Sequence, residues 1–314
     1  MLKIVFMGTP AFAVPALQSL ITAAFDIPLV ISQPDRKKGR GHKVQHTPVK
    51  ELAISHDIEV YQPESIRTEA SLETLKAVDA DFFVVIAYGK ILPESVLNIP
   101  GKACINVHAS LLPKWRGAAP IQFSLLAGDR ETGVCTMLMD KGMDTGDLLL
   151  TRKTPIDPDE TSGELSERLA AMGGELIVET LKTFDEITPT RQDHEKASYT
   201  RLLKKEDRFI DWQQEAEQIY NQFRAFMPAP GVVTTFRGKR LLVKGMQVIP
   251  RDQTKKEQQA GEIVDAGESG LDIACASGAI RITSCQPESK KEMSAREFIN
   301  GYQVKTGDRI GDKN

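Results

Sequence analysis

Asn106 and His108 stand two residues apart at the end of the apolar run Ala103–Val107. In a strand, side chains two apart share a face, so the amide and the imidazole point the same way. An amide donor beside a titratable ring can hold a developing oxyanion and move a proton. The competing account is a satisfied core histidine with an amide partner. A polar loop, Ala109-Ser110-Leu111-Leu112-Pro113-Lys114-Trp115-Arg116-Gly117, follows at once and favours chemistry. The missing part is a carboxylate to orient the ring. The segment Met139-Asp140-Lys141-Gly142-Met143-Asp144-Thr145-Gly146-Asp147, after the next apolar run, offers three: Asp140, Asp144 and Asp147. Spacing does not choose among them, and Asp140 and Asp147 are also ordinary turn formers.

The elements that must position these residues are legible as alternating periods. Ile4–Met7, Leu29–Ile31, Phe82–Ala87, Ala103–Val107 and Val134–Met139 are short apolar runs that read as strands. Val14–Ala24, Pro48–His56, Ala70–Ala77 and Ala118–Ala127 have helical spacing. Such alternation predicts an α/β fold with a parallel, doubly wound sheet, whose ligand lies beyond the C-terminal strand ends. Gly8-Thr9-Pro10-Ala11-Phe12 after the first strand is not the glycine-rich dinucleotide fingerprint, which disfavours a nicotinamide or flavin cofactor. Thr161-Ser162-Gly163-Glu164 can cap a long helix running to about Phe184. From Thr188 the chain is polar and loses its period, which predicts a linker to about Arg208. Beyond it, Trp212–Phe226 looks like one amphipathic helix. Val232–Phe236, Leu241–Val248, Gly261–Val264, Leu271–Ala276 and Ala279–Ser284 are short strands between glycine-rich turns. They predict a smaller antiparallel β-barrel, OB-like, a shape often used to hold nucleic acid. The expected organisation is a domain over 1–189, a linker over 190–208 and a second domain over 209–314.

Charge adds a second feature. Residues 33–50 hold Arg36, Lys37, Lys38, Arg40, Lys43 and Lys50 against Asp35 alone. The island is +5 while the rest of residues 1–199 is −11, and residues 200–314 are +3. A solvated loop is the ordinary reading of such a run. This one follows the second strand, on the edge where ligand should bind, and its glycines let it fold onto a partner. Cationic loops of this kind meet phosphates.

The 314-residue length suggests two domains, and the net charge of −3 excludes a uniformly basic RNA coat. No apolar stretch reaches the roughly 18 residues of a membrane span. Cys104, Cys135, Cys275 and Cys285 form no C-x-x-C pair, and no zinc spacing occurs. We therefore expect buried structural thiols, no metal, no membrane, and a cytoplasmic protein.

The segments N-V-H-A-S-L-L-P-K-W-R-G and G-M-D-T-G-D, about 35 residues apart, resemble the folate-dependent formyltransferases. F-M-G-T-P-A-F-A, Q-P-D-R-x-x-G-R-G, V-V-I-A-Y-G, R-G-A-A-P-I and, weakly, M-S-A-R-E-F resemble the tRNA-directed branch of that family. The resemblance implies a Rossmann-like first domain and transfer of the formyl group of 10-formyltetrahydrofolate to the methionyl α-amine of initiator methionyl-tRNA. It implies a catalytic set of Asn106, His108 and Asp144. It places Ser110, Leu111, Leu112 and Pro113 at the folate site, with Ala87, Tyr88 and Gly89 against the pterin. Arg40 would lead the acceptor-stem contacts, alongside Arg36, Lys37, Lys38 and Lys43. We expect a monomer. The chain departs from the family where Phe226-Met227-Pro228-Ala229-Pro230 lacks the tryptophan usual between two prolines. A nucleotide-sugar amine formyltransferase would share the central motifs but has no use for the +5 loop. A glycinamide ribonucleotide formyltransferase needs only the first domain. A non-catalytic RNA-binding relative would not need Asn106, His108 and Asp144 intact.

Overall fold

The computed structural model describes residues 1–38, 43–249 and 258–311. They form two compact units. The first comprises Met1–Pro120, Glu131–Pro155 and Ser166–Arg201. The second takes Ile121–Arg130, Ile156–Leu165 and the chain from Leu202.

In the first unit the strands are β1 (Lys3–Gly8), β2 (Asp26–Ile31), β3 (Arg36–Lys38), β4 (Lys43–Gln45), β5 (Glu59–Tyr61), β6 (Phe82–Ile86), β7 (Ala103–His108), β8 (Arg116–Gly117), β9 (Glu131–Leu138), β10 (Leu148–Pro155) and β11 (Tyr199–Thr200). The helices are α1 (Val14–Thr22), α2 (Pro48–Ser55), α3 (Glu69–Ala77), α4 (Glu94–Leu97), α5 (Pro120–Leu126) and α6 (Ser162–Lys182), the last two shared with the second unit. The main sheet has the order β10-β9-β7-β6-β1-β2-β5. Alternate residues of its central strands feed two cores. Ile4, Phe6, Val84, Ile105 and Val107 pack with Leu17 and Leu20 of α1 and Ile177 and Leu181 of α6. Val5, Met7, Phe83, Val85 and Cys104 pack with Leu75 of α3 and Val96 and Leu97 of α4. Burial on both faces is why these strands are continuously apolar in sequence.

The parallel pairing expected holds for β1, β2, β5, β6 and β7, but β9 runs antiparallel to β7, and β10, antiparallel to β9, returns to the common direction. Periodicity identifies a buried strand without giving its direction, so this departure was invisible in sequence. It has a consequence for the site. Ile105 pairs with Leu138 and His108 with Cys135, so β9 ends beside the start of β7. The loop after β9 must turn back along β7 to reach His108.

The segment expected as a linker is, through Arg201, part of the first unit. Thr190 exchanges backbone hydrogen bonds with Leu148, and β11 pairs with β8.

The second unit contains α7 (Ala216–Phe226), β12 (Val232–Phe236), β13 (Lys239–Ile249), β14 (Ile263–Gly267), β15 (Gly270–Ala274), β16 (Ala279–Pro287), β17 (Met293–Ser294) and α8 (Ala295–Tyr302). The sheet order is β12-β13-β16-β15-β14, with β17 beside β16. The two edges are joined by the chain end: Ile310 bridges Phe236, and Arg309 bridges Glu262. Joining the edges closes the sheet into an antiparallel barrel and leaves no long open edge. Helix α7 begins later than the expected Trp212. Glu215 and Gln218 form a reciprocal capping box there, and Trp212 instead turns inward, its indole donating to Thr234 Oγ1 at 3.0 Å. Among the described residues no helix is long and apolar enough to cross a membrane.

Candidate active site

The site residues lie in the first unit, at the C-terminal ends of β6 and β7. Asn106 and His108 are both buried on the β7 face that also carries Cys104, so the two share one side of the sheet. Val85 pairs with Asn106, which puts the turn Ala87-Tyr88-Gly89 beside them. Ala87 and Gly89 have positive φ (47° and 87°) and are exposed, whereas Tyr88 is buried in the core. Thr9 Oγ1 donates to the Tyr88 carbonyl and fixes the turn to the loop after β1. Burial pushes the Tyr88 hydroxyl pKa up, so it stays protonated.

His108 Nε2 lies 3.0 Å from the Trp115 carbonyl. A carbonyl only accepts, so Nε2 carries a proton and Nδ1 is the ring nitrogen turned away from Trp115. Nδ1 faces Asp144 Oδ2 at 3.6 Å. Of the three carboxylates left open by spacing, Asp144 is the one at His108. Asp140 instead folds its own turn, accepting from Gly142 N and Thr145 Oγ1. The Asp144 carboxylate is itself held by the Gly117 N–H at 2.7 Å. Gly146 is required where the loop doubles back, since a Cβ there would collide with the Leu138 carbonyl.

The Ser110-Leu111-Leu112-Pro113 loop is positioned from below. Ser110 is fully buried and its Oγ donates to the Lys114 carbonyl at 2.6 Å. Leu112 packs with Cys135 and Met137 of β9. Leu111 and Pro113 are half-buried at the rim. Ser110 and Leu112 thus anchor the loop, and Leu111 and Pro113 are the members left open to a ligand.

Within the basic island, β3 pairs antiparallel with β4 after β2, and Lys50 lies in α2. Arg36 is exposed in β3, Lys37 and Lys38 belong to the same strand, and Lys43 opens β4. Arg40 lies outside the described residues. The base of the hairpin is clamped by Asp35. Its carboxylate accepts from Lys50 Nζ at 2.6 Å, His46 Nδ1 at 2.8 Å and Gln62 Nε2 at 2.8 Å. Burial alone would raise the Asp35 pKa, but these hydrogen bonds outweigh it and hold the carboxyl well below the usual carboxylate range.

All four cysteines are buried and free. Burial pushes Cys104, Cys275 and Cys285 up to about 12 and raises Cys135, so none offers a thiolate nucleophile. Among the described residues no cluster of histidine, cysteine or carboxylate side chains suits a metal ion. In the second unit, Phe226 is buried and the Met227 carbonyl accepts from Ser162 Oγ at 2.8 Å. The residue standing before the first of the two prolines therefore caps a helix start. Periodicity missed Gln192 of the supposed linker, which is buried and hydrogen-bonded to the Asp144 and Gly146 carbonyls. A single polar residue in a polar run carries no periodic signal.

Residues 2–181 match the family described as formyl transferase, and residues 202–303 match the formyl transferase C-terminal domain. A methionyl-tRNA formyltransferase of Geotalea daltonii is 43% identical over 99% of both chains. That of Geobacter metallireducens is 45% identical, again over 99% of both. An N-formyltransferase of Helicobacter canadensis, solved with folinic acid and dTDP-3-aminofucose, shares the fold. It has a TM-score of 0.67 at 19% identity, over 91% of this chain and all of that one. The matches in both halves, with full-length identity above 40%, place the chain in the formyl transferase family, among the methionyl-tRNA formyltransferases.

Proposed function

We propose that Asn106, His108 and Asp144 transfer the formyl group of 10-formyltetrahydrofolate to the α-amine of initiator methionyl-tRNA. The observation that carries the assignment is the Nδ1 of His108, 3.6 Å from Asp144 while Nε2–H is spent on Trp115. The amine attacks the formyl carbon, and the Asn106 amide donates to the oxygen as it gains charge. His108 Nδ1 takes the proton that the amine loses, and Asp144 then stabilises the imidazolium. The resulting Nδ1–H is a second donor for the oxyanion. Collapse breaks the bond from the formyl carbon to the folate nitrogen, and that nitrogen takes the proton back from His108 Nδ1, which returns the ring to its starting state. The formyl group is already activated as an N-acyl arylamine, so these side chains supply what the reaction needs.

The folate is read as lying between the Ala87-Tyr88-Gly89 turn and the Leu111 and Pro113 rim, with Ser110 and Leu112 holding that rim in place. The tRNA is read as meeting the β3–β4 hairpin through Arg36, Lys37, Lys38, Arg40 and Lys43, and the barrel from Leu202 onward. Such a substrate places the protein in the cytoplasm, and four free thiols fit a reducing compartment.

The test is formyl transfer from 10-formyltetrahydrofolate to charged initiator tRNA, run beside an aminosugar nucleotide. His108→Ala and Asp144→Ala should each lower kcat by about 100- to 1,000-fold while the protein stays folded. Near-wild-type turnover by either folded variant would sink the assignment. Preference for the aminosugar nucleotide would overturn the substrate.

A further inference from the structure

The loop carrying Asp144 leaves β9 at the wrong end of β7 and has to return to His108. Asp144 itself sits at φ 55°, a left-handed conformation that a non-glycine residue keeps only where its surroundings hold it. Something must hold the return. We propose that Gln192 is a positioning residue for formyl transfer, clamping the Asp144 loop so that the carboxylate meets His108. The proposal rests on Asp144 being the group that serves His108.

Gln192 is buried and its carboxamide is fully used. Nε2 donates to the carbonyls of Asp144 at 2.9 Å and Gly146 at 2.6 Å. Oε1 accepts from Arg116 Nε at 3.2 Å and Nη2 at 2.7 Å. Arginine only donates and carbonyls only accept, so the amide has one possible orientation. The next residue after Arg116 is Gly117, whose N–H holds the Asp144 carboxylate. Asp144 is therefore gripped twice, on its main chain by Gln192 and on its side chain by Gly117. Arg116 joins the two grips into a closed ring.

The choice of amide is informative. Arg116 is buried, and its described partners are Gln192, His194 Nδ1 and the Tyr199 hydroxyl, none of them a carboxylate. A glutamate at 192 would suit that cation better. It would also turn a carboxylate oxygen toward the Asp144 and Gly146 carbonyls, where only a donor fits. The neutral side chain is thus dictated by the loop and not by the arginine.

The test compares Gln192→Met and Gln192→Glu with wild type, and Gln192→Met with and without Asp144→Ala. Displacing a catalytic group by about 1 Å costs on the order of 100-fold, so Gln192→Met should lower kcat by roughly 10- to 100-fold. The tRNA KM and folate affinity should stay within about twofold. Gln192→Glu should lose at least as much despite its near-identical shape. The double variant should be no slower than Asp144→Ala alone. Amide exchange supplies a readout independent of activity: in Gln192→Met the Gly117 N–H should lose protection while β7 keeps it. Additive losses, wild-type kcat in Gln192→Glu, or unchanged protection at Gly117 would each overturn the proposal. Asp144→Ala at wild-type kcat would instead overturn the reading on which it rests.

Discussion

The Asn106–His108 strand end and the β3–β4 hairpin both stand at C-terminal strand ends of the main sheet, of β7 and β2, yet they are built in opposite ways. At the strand end Asn106 and His108 are buried, and His108 and Asp144 are held by the fixed groups of Trp115, Gly117 and Gln192. In the hairpin Arg36 is exposed, and the fixed partners gather at the base, around Asp35. The difference fits the two roles proposed for them. Charge developing on one oxygen is met best by donors that do not reorganise. A phosphate backbone is met by cations whose contribution is long-range and tolerant of geometry. Substitutions at the strand end should therefore act on kcat, and substitutions in the hairpin on binding.

The sharpest break of that contrast comes from Asn106→Ala. Loss of one oxyanion donor should lower kcat by about 100- to 1,000-fold with the tRNA KM little changed. The measurement is steady-state formylation with each substrate varied. A rise in KM at unchanged kcat would make Asn106 a binding group and erase the distinction between the regions.

Leu112→Ala probes the support beneath the strand end. Leu112 is buried against Cys135 and Met137, so truncation should destabilise the first unit by about 2–5 kcal/mol through lost transfer energy and a cavity. Urea unfolding checks the size. A variant of unchanged stability would show that Leu112 sits in the loop as a ligand contact and does not anchor it.

These two effects also mark what was legible beforehand. The pair Asn106 and His108 could be found because strand alternation is strict, and the Ser110–Pro113 loop because it follows directly. The choice of Asp144 over Asp140 and Asp147 was not open to spacing, because it depends on a loop that doubles back beside an antiparallel strand. Strand direction leaves no mark on an apolar run. Gln192 was hidden for a related reason: its work depends on contacts across 48 residues of chain to Asp144. In the second unit β12 to β16 were visible, since β-branched runs between glycine turns report themselves locally, whereas the two-residue β17 was too short to show a period. The closure of its edges by Arg309 and Ile310 was not, because two isolated bridges have no period.

On the hairpin side, replacing Arg36, Lys37, Lys38, Arg40 and Lys43 by alanine should weaken tRNA binding in proportion to the phosphates they meet. Each lost phosphate contact should flatten the dependence of log affinity on log salt by about 0.7–0.9. Binding titrations at several salt concentrations give the slope directly, and folate affinity serves as the control. An unchanged slope would show that these cations face solvent alone. A parallel fall in folate affinity would move the hairpin into the donor site.

The smallest effect should come from Asp35→Ala, which leaves the cations in place and loosens only their base. Apparent KM for tRNA should rise by a few-fold as the hairpin spends less time in its binding conformation, and kcat should hold. Because the folded-state pKa of Asp35 is depressed, its contribution to stability is complete above the unfolded value of about 4 and disappears as pH falls through the lower folded value. Urea unfolding of wild type and Asp35→Ala should thus show a constant gap from pH 8 down to about 5, closing only in stronger acid. A gap that was absent at pH 7 would show that the Asp35 carboxylate does not hold the base of the hairpin.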